Sequence, residues 1–187
     1  MILTPAAEPC CCGRRDPVPS PVRRSLSCAR LALRSLRAGK DVVVEVQVDV
    51  LAEVDERDAI AISKLVPQVS SQVGSVPAER ITRIATDPRS CIVVARTAGE
   101  IVGIATLLTL VTLVGQFGYV EEVAVNTSVR GRGVGRALIT GLLAAARERE
   151  HDFVELTSRP AREAANALYR SVGFRLRETN VYRYDLR

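Results

Sequence analysis

Between residues 130 and 136 the chain reads Arg130-Gly131-Arg132-Gly133-Val134-Gly135-Arg136. Glycines at such spacing let the backbone approach a ligand closely, and the N–H groups at a helix start form an anion site. Arginines beside them add charge-assisted contacts suited to phosphate. Two phosphate loops are excluded. The dinucleotide pattern GxGxxG fails because Gly131-x-Gly133 is followed by Arg136 and Gly133-x-Gly135 by Leu138. The pattern GxxxxGK[ST] is absent, and the only lysines are Lys40 and Lys64. What remains is R-x-x-G-x-G over Arg130, Gly133 and Gly135. Taken alone, that spacing also describes a purely structural glycine turn.

The elements around the loop follow from hydrophobic period. Residues 42–50, VVVEVQVDV, place Val42, Val44, Val46, Val48 and Val50 on one side and Glu45, Gln47 and Asp49 on the other. That is a half-buried strand. From Asp55 to Val69 the spacing is helical, with Ala59, Ile62, Leu65 and Val66 on one face and Asp55 placed as the cap. Pro77 opens a second short helix, and Asp87-Pro88 stops it. A strand over Cys91–Arg96, a turn at Ala98-Gly99 and a strand from Ile101 predict a hairpin. Residues 101–120 carry no charge, but glycines interrupt the run, so it reads as two buried strands rather than a membrane span, with a turn at 115–118. A strand at Tyr119–Val125 leads into the glycine loop and a helix striped by Leu138, Leu142 and Ala145. A strand at Phe153–Thr157, a helix near Arg162–Val172 ended by Gly173, and an alternating strand at Thr179–Leu186 complete the chain. The class is α/β, in the order β-α-α-β-β-β-α-β-α-β.

Composition narrows the function. Of 187 residues, 47% are hydrophobic and 25% charged, which excludes wholesale disorder. Aromatics are 4% with no Trp, too few for stacking on single-stranded nucleic acid. The net charge of +5 is unevenly placed: residues 1–40 carry +6, leaving −1 on the rest and no specific pull on nucleic acid. Cys10, Cys11, Cys12 and Cys28 lack CxxC spacing and accompanying His, so no metal site is expected. Residues 1–40 read as a disordered basic tail with five prolines, within which 25–37 could form a short amphipathic helix. An Arg- and Ser-rich start is compatible with an organellar transit peptide or a translated leader. The triple Cys could be lipidated if the tail met a membrane. With Cys91 alone in residues 41–187, a reducing compartment, the cytoplasm, is expected.

The segment YVEEVAVNTSVRGRGVGRALI, followed about 30 residues later by ANALYRSVGF, resembles the GCN5-related N-acetyltransferase (GNAT) family. The resemblance covers residues 42–187, the element order is similar, and it implies one GNAT domain over 41–187 with splayed fourth and fifth strands. Arg130, Gly133 and Gly135 match the family's acetyl-CoA pyrophosphate loop, and Asn166, Tyr169 and Gly173-Phe174 its second block. The resemblance implies that acetyl-CoA lays its pyrophosphate on the N–H groups of Arg132 to Arg136, Gly131 included in the loop. Its pantetheine arm would pair like a strand with Val123, Ala124 and Val125. The implied reaction is acetyl transfer to a primary amine, on a small molecule or a peptide, by direct attack in a ternary complex.

That chemistry needs a base, because an alkyl ammonium must lose a proton before attacking a thioester. By the same resemblance, Glu121 or Glu122 lies beside the thioester and could take the proton. Adjacent strand residues face opposite ways, so only one faces the site unless a bulge intervenes. Tyr169 matches the family's general acid for the leaving thiolate. Asn166, on the same helix side, would hydrogen-bond the cofactor arm or merely interrupt the apolar stripe. A backbone N–H of the fourth strand would polarise the carbonyl. His151 reads as an exposed complement to a helix C-terminus, and Cys91 as a small buried hydrophobe. Arg159 and Arg162 could touch the 3′-phosphate of CoA or be plain surface charges. Two competing readings are a catalytically silent CoA-binding or sensing module and a tail-mediated binder of anionic surfaces. The acceptor is not legible, and homodimerisation, common in such domains, is not visible in these residues.

Overall fold

The computed structural model describes residues 30–38, 42–70 and 73–186. The backbone forms one mixed six-stranded sheet in sequential order: β1 (Arg30–Ala38), β2 (Val42–Leu51), β3 (Ser90–Thr97), β4 (Glu100–Thr112), β5 (Gly115–Val125) and β6 (Val154–Leu156). Successive strands run antiparallel, except that β6 lies parallel to β5. Helices α1 (Glu56–Leu65), α2 (Ala78–Thr86), α3 (Val134–Glu148) and α4 (Glu163–Ser171) complete the fold.

Strand alternation divides the core between two faces. Val48, Val93, Ala95, Ala105, Leu107 and Val120 point to one side, where they meet Leu138, Leu142 and Ala145 of α3. Leu51, Ile92, Val94, Ile104 and Ala124 point to the other, against Ala59, Ile62 and Leu65 of α1 and Ile81 of α2. Leu138, Ile139 and Leu142 are wholly shielded from solvent. Each such side chain contributes about 2 kcal/mol of apolar burial. The start of α1 is fixed as its sequence predicts, Asp55 Oδ1 accepting the N–H of Asp58 at 2.7 Å. The β3–β4 hairpin turns at Ala98 (φ +49°) and Gly99 (φ +84°). At the end of α4, Phe174 N–H reaches the Tyr169 carbonyl at 3.0 Å around Gly173, so that glycine closes the helix.

Three expectations are corrected. Residues 30–38 are a strand, not part of a helix over 25–37: they pair with β2 from Arg30↔Asp49 to Ala38↔Val42. A valine-rich strand with an open edge outweighs a weak local helical pattern. The sheet thus draws on residues expected in the tail; the other expectations for the tail lie outside the described residues. The β4–β5 turn is at Leu113-Val114, and Gly115 and Gly118 lie inside β5. Residues 179–186 form no strand despite their alternation. Tyr182, Tyr184 and Leu186 are exposed there, and Arg183 pairs with Asp185 two residues on instead of a neighbouring strand. Alternation marks a segment able to pair; without a ladder partner it stays irregular.

Pairing between β5 and β6 covers only Gly118↔Val154, Tyr119↔Glu155 and Val120↔Leu156. Beyond Val120 the β6-facing edge of β5 has no strand partner among the described residues. These are the strands expected as fourth and fifth, displaced by one through the addition of β1.

Candidate active site

The glycine loop crosses from β5 to α3 at the open end of this edge. Asn126 Oδ1 accepts the N–H of Ser128 at 3.0 Å and its hydroxyl at 2.9 Å, setting a single 3-10 turn over Thr127–Val129. Gly131 (φ +73°) and Gly133 (φ +80°) then take left-handed conformations, which cost other residues about 1–2 kcal/mol. Val134, 1% exposed, anchors the first helical residue in the core. The first turn of α3 therefore presents free N–H groups at an exposed crest. A Cβ on Gly135 would come 3.1 Å from Leu168 Cδ2, so the glycine lets α4 close against that turn.

The three arginines differ. Arg130 donates to the Val125 carbonyl at 3.1 Å and to Gln68 Oε1 at 2.6 Å. Arg136 donates to the Ser171 carbonyl at 3.2 Å. Both brace the loop, whereas Arg132 is exposed with no hydrogen-bond partner among the described residues. Gln68, which sequence reading passed over, also accepts Arg162 through its carbonyl at 3.4 Å. It ties the α1–α2 connection to both cationic segments, and no motif marks it.

On β5 the expected alternation slips. Ile104 pairs with Ala124 but Thr106 with Glu121, so β5 carries one residue more than β4 between the two pairs. Val120 and Val123, three apart, consequently both pack against the α3-side core. The extra residue is Glu122, in the left-handed region at φ +50°. Glu121 and Glu122 thereby line one open groove of about 370 Å³, with Arg83, Ile84, Thr106 and Leu108 among its other walls. Burial first and the Glu122 charge second push the Glu121 carboxyl above its ordinary value; an N–H from Glu122 opposes them. A carboxylate raised in this way is a better proton acceptor from an ammonium than a solvated one.

Tyr169 on α4 is buried and packs edge-on against Phe174, ring centroids 5.9 Å apart. Burial pushes its phenol up, slightly opposed by Arg162, so the hydroxyl keeps its proton at neutral pH. It is not among the groove-lining residues, nor is the glycine loop. Asn166 donates its amide to the carbonyls of Arg159 at 3.0 Å and Pro160 at 3.3 Å, organising the loop ahead of α4. Arg159 is exposed. Cys91, 1% exposed, is a core side chain whose thiol burial pushes up. His151 is not the exposed residue expected. Its Nε2 lies 2.9 Å from Thr109 Oγ1, and its Nδ1 is shielded without a partner. Gly118 makes room for it, since a Cβ there would meet Nδ1 at 2.8 Å. The position after α3 carried the helix-end reading; the long-range approach of β4 and β5 overrode it.

A glycine crest of free N–H groups thus continues into an unpaired strand edge, and a bulge beside that edge gathers two carboxylates. The acetyltransferase (GNAT) family profile matches residues 62–174, more than half of the sequence. The chain belongs to the GNAT acetyltransferase family. Over 99 residues, 52% of this chain, it is 41% identical to an uncharacterised protein of Mycobacterium leprae, covering 26% of that protein. It is 38% identical, also over 99 residues, to the N-alpha-acetyltransferase RimI of Mycobacterium tuberculosis, covering 60% of it. The match therefore spans a quarter to three fifths of the length of these two relatives. An aminoglycoside acetyltransferase from an uncultured soil metagenomic sample superposes with a TM-score of 0.67 at 24% identity, over 75% of this chain and 95% of that one. At that identity the likeness speaks for the GNAT fold. No helix among the described residues is long and apolar enough to cross a membrane.

Proposed function

We propose that the protein is an acetyl-CoA-dependent N-acetyltransferase that transfers the acetyl group directly to a primary amine in a ternary complex. The observation that carries this reading is the β5 bulge, which places Glu121 and Glu122 in one groove beside the unpaired strand edge.

The residues fit the cosubstrate. Left-handed glycines at 131 and 133 shape the crest, and Arg132 is free to meet a phosphate. The open edge of Val123, Ala124 and Val125 offers main-chain groups to an extended amide arm, the Val125 carbonyl being already held by Arg130. Ser158 Oγ, two residues beyond β6, is shielded without a partner and offers one more polar contact. Bound there, acetyl-CoA supplies an activated thioester acyl group and departs as the thiol. Arg130, Arg136 and Asn166, engaged with protein atoms, act as braces.

Glu121 is the base in this reading. Its raised affinity for protons, set by burial and by Glu122, suits it to take one from the acceptor ammonium directly or through water. Tyr169 keeps its proton and gives it to the departing thiolate. A β5 backbone N–H polarises the acyl carbonyl. Cys91 is buried, so no thiol is available for an acyl-enzyme route among the described residues. A cytoplasmic setting suits this chemistry, which draws on acetyl-CoA and uses no disulfide.

The test is calorimetric titration of acetyl-CoA into the whole chain, followed by thiol release with a panel of primary amines. Binding with amine-dependent thiol release is expected. Binding without release for any amine would reduce the protein to a CoA-binding module, and no binding would remove the reading. Tyr169→Phe should leave acetyl-CoA binding intact while turnover falls on the order of a hundredfold.

A further inference from the structure

The groove that holds Glu121 and Glu122 is not uniformly anionic. Arg83 and Arg89 line its far part, at the end of α2 and the start of β3. Arg89 is partnered: its N–H meets Asp87 Oδ1 at 2.8 Å, and its guanidinium lies 3.3 Å from Oδ2. Arg83, one turn back on α2, is exposed, and while its carbonyl accepts the Asp87 N–H at 3.1 Å, its guanidinium has no hydrogen-bond or ion-pair partner among the described residues. The groove thus has a carboxylate end and a free guanidinium end.

Strand register gives their separation. Glu121 pairs with Thr106, and the Arg89 carbonyl accepts the Thr109 N–H at 2.6 Å. Three residues along β4, roughly 10 Å, and two strand spacings across from β5 to the start of β3, roughly 9 Å, therefore put the backbones of Glu121 and Arg89 on the order of 14 Å apart. The Ile84 carbonyl accepts the Ser90 hydroxyl at 2.6 Å, which keeps Arg83 at the Arg89 end. Leu108 lies within that stretch of β4 and Leu110 just past it, and with Ile84 they make the intervening wall mostly apolar, Ser90 and Thr109 being its polar members. A free α-amino acid, with ammonium and carboxylate on one carbon, is too short to reach both ends. Glutamate and arginine side chains reach in from the two ends, and an extended peptide at about 3.4 Å per residue covers the rest with an acidic side chain at its second or third residue.

From this we infer that the acceptor is the amino terminus of a peptide bearing an acidic side chain at its second or third position. Its ammonium lies at Glu121 and Glu122, and its carboxylate at Arg83. This rests on the proposed acetyltransferase reading of the same groove. The two ends act in opposite senses. The glutamates attract any amine, while Arg83 selects among amines by favouring an anion and repelling a cation at a fixed distance. Arg83 is a specificity residue and takes no part in proton transfer.

The experiment measures thiol release by the whole chain with acetyl-CoA and three amidated tripeptides, Ala-Glu-Ala, Ala-Gln-Ala and Ala-Lys-Ala, with ethanolamine as an unrelated primary amine. The Glu peptide should show a KM about threefold below the Gln peptide, as one ion pair on an exposed guanidinium provides, and the Lys peptide should be poorest. Arg83→Gln should erase the Glu-over-Gln preference by raising KM for the Glu peptide alone, with kcat unchanged. Arg83→Glu should reverse the order in favour of the Lys peptide. Equal KM values in the unmodified protein, or an Arg83→Gln effect shared by all three peptides, would overturn the inference. Release with ethanolamine and none with any peptide would overturn it while leaving the acetyltransferase reading standing. No release with any amine would overturn both.

Discussion

Glu121 and Glu122 are neighbours on one strand, yet both line the same groove, because Glu122 sits at φ +50° and displaces the alternation by one residue. The consequence is electrostatic as well as geometric. Removing the Glu122 charge takes away the second cause of the raised Glu121 carboxyl, which then releases its proton at lower pH. Glu121→Gln is expected to lower kcat at neutral pH on the order of a hundredfold and to abolish the acidic limb of the rate profile. Glu122→Gln should cost less and move that limb to lower pH. A limb that stays in place, read from kcat/KM between pH 4 and 8, would remove Glu122 from this role. Glu122→Gly should in addition stabilise the fold by about 1 kcal/mol through release of left-handed strain.

At the crest of the glycine loop, backbone conformation and charge act together. Gly133 is left-handed and precedes the free N–H groups of α3. Gly133→Ala should cost about 1–2 kcal/mol of stability and weaken acetyl-CoA binding modestly. Gly133→Glu puts an anion where a phosphate is to lie and should abolish binding in calorimetry while urea unfolding matches the Ala variant. Equal Kd values for the two variants would show that the loop does not carry the phosphate.

What could be read from the chain follows from how local each signal is. Asp55 as a cap, Ala98-Gly99 as a hairpin turn and Gly173 as a helix stop depend on a few adjacent residues, and each stands as its chemistry dictates. The strand at Arg30–Ala38 and the irregular path of 179–186 depend on whether a distant edge is offered, which no local pattern encodes. The candidate site divides the same way. The loop and the two glutamates are motif residues, visible in the sequence. The bulge that unites the glutamates, the bracing by Gln68 and the place of Arg83 in their groove arise from strand register and packing.

The same holds for a link that fixes α1 to the sheet. Arg96 donates through both terminal nitrogens to Asp58, at 2.8 and 2.7 Å, and to the Gly99 carbonyl at 3.1 Å. The carboxylate is 8% exposed as a residue, so its truncation leaves a half-buried guanidinium without its counter-ion. Asp58→Ala should destabilise by about 2 kcal/mol. Arg96→Met, which keeps the stem and removes the charge, should cost less when paired with Asp58→Leu than either single change, because apolar partners need no counter-ion. Urea unfolding of the three variants checks this, and strict additivity would mean the pair is not coupled.

His151 supplies a pH dependence with a defined sign. Burial first, and Arg149 second, hold its imidazole below the ordinary value, with Asp152 opposing. The folded state therefore binds a proton less readily than the unfolded chain. Its contribution is complete at pH values above the unfolded pKa, about 6.5, and is lost as pH falls through the lower folded value. Unfolding free energy should thus decline on acidification below that point, before the carboxylates titrate. His151→Gln can still hydrogen-bond to Thr109 but cannot take up a proton, and it should flatten the decline between pH 6.5 and 5. If the variant and the unmodified protein lose stability in parallel over that interval, the proton that drives acid unfolding enters elsewhere. If only the unmodified protein declines, the shielded imidazole between β4 and β5 is where it enters.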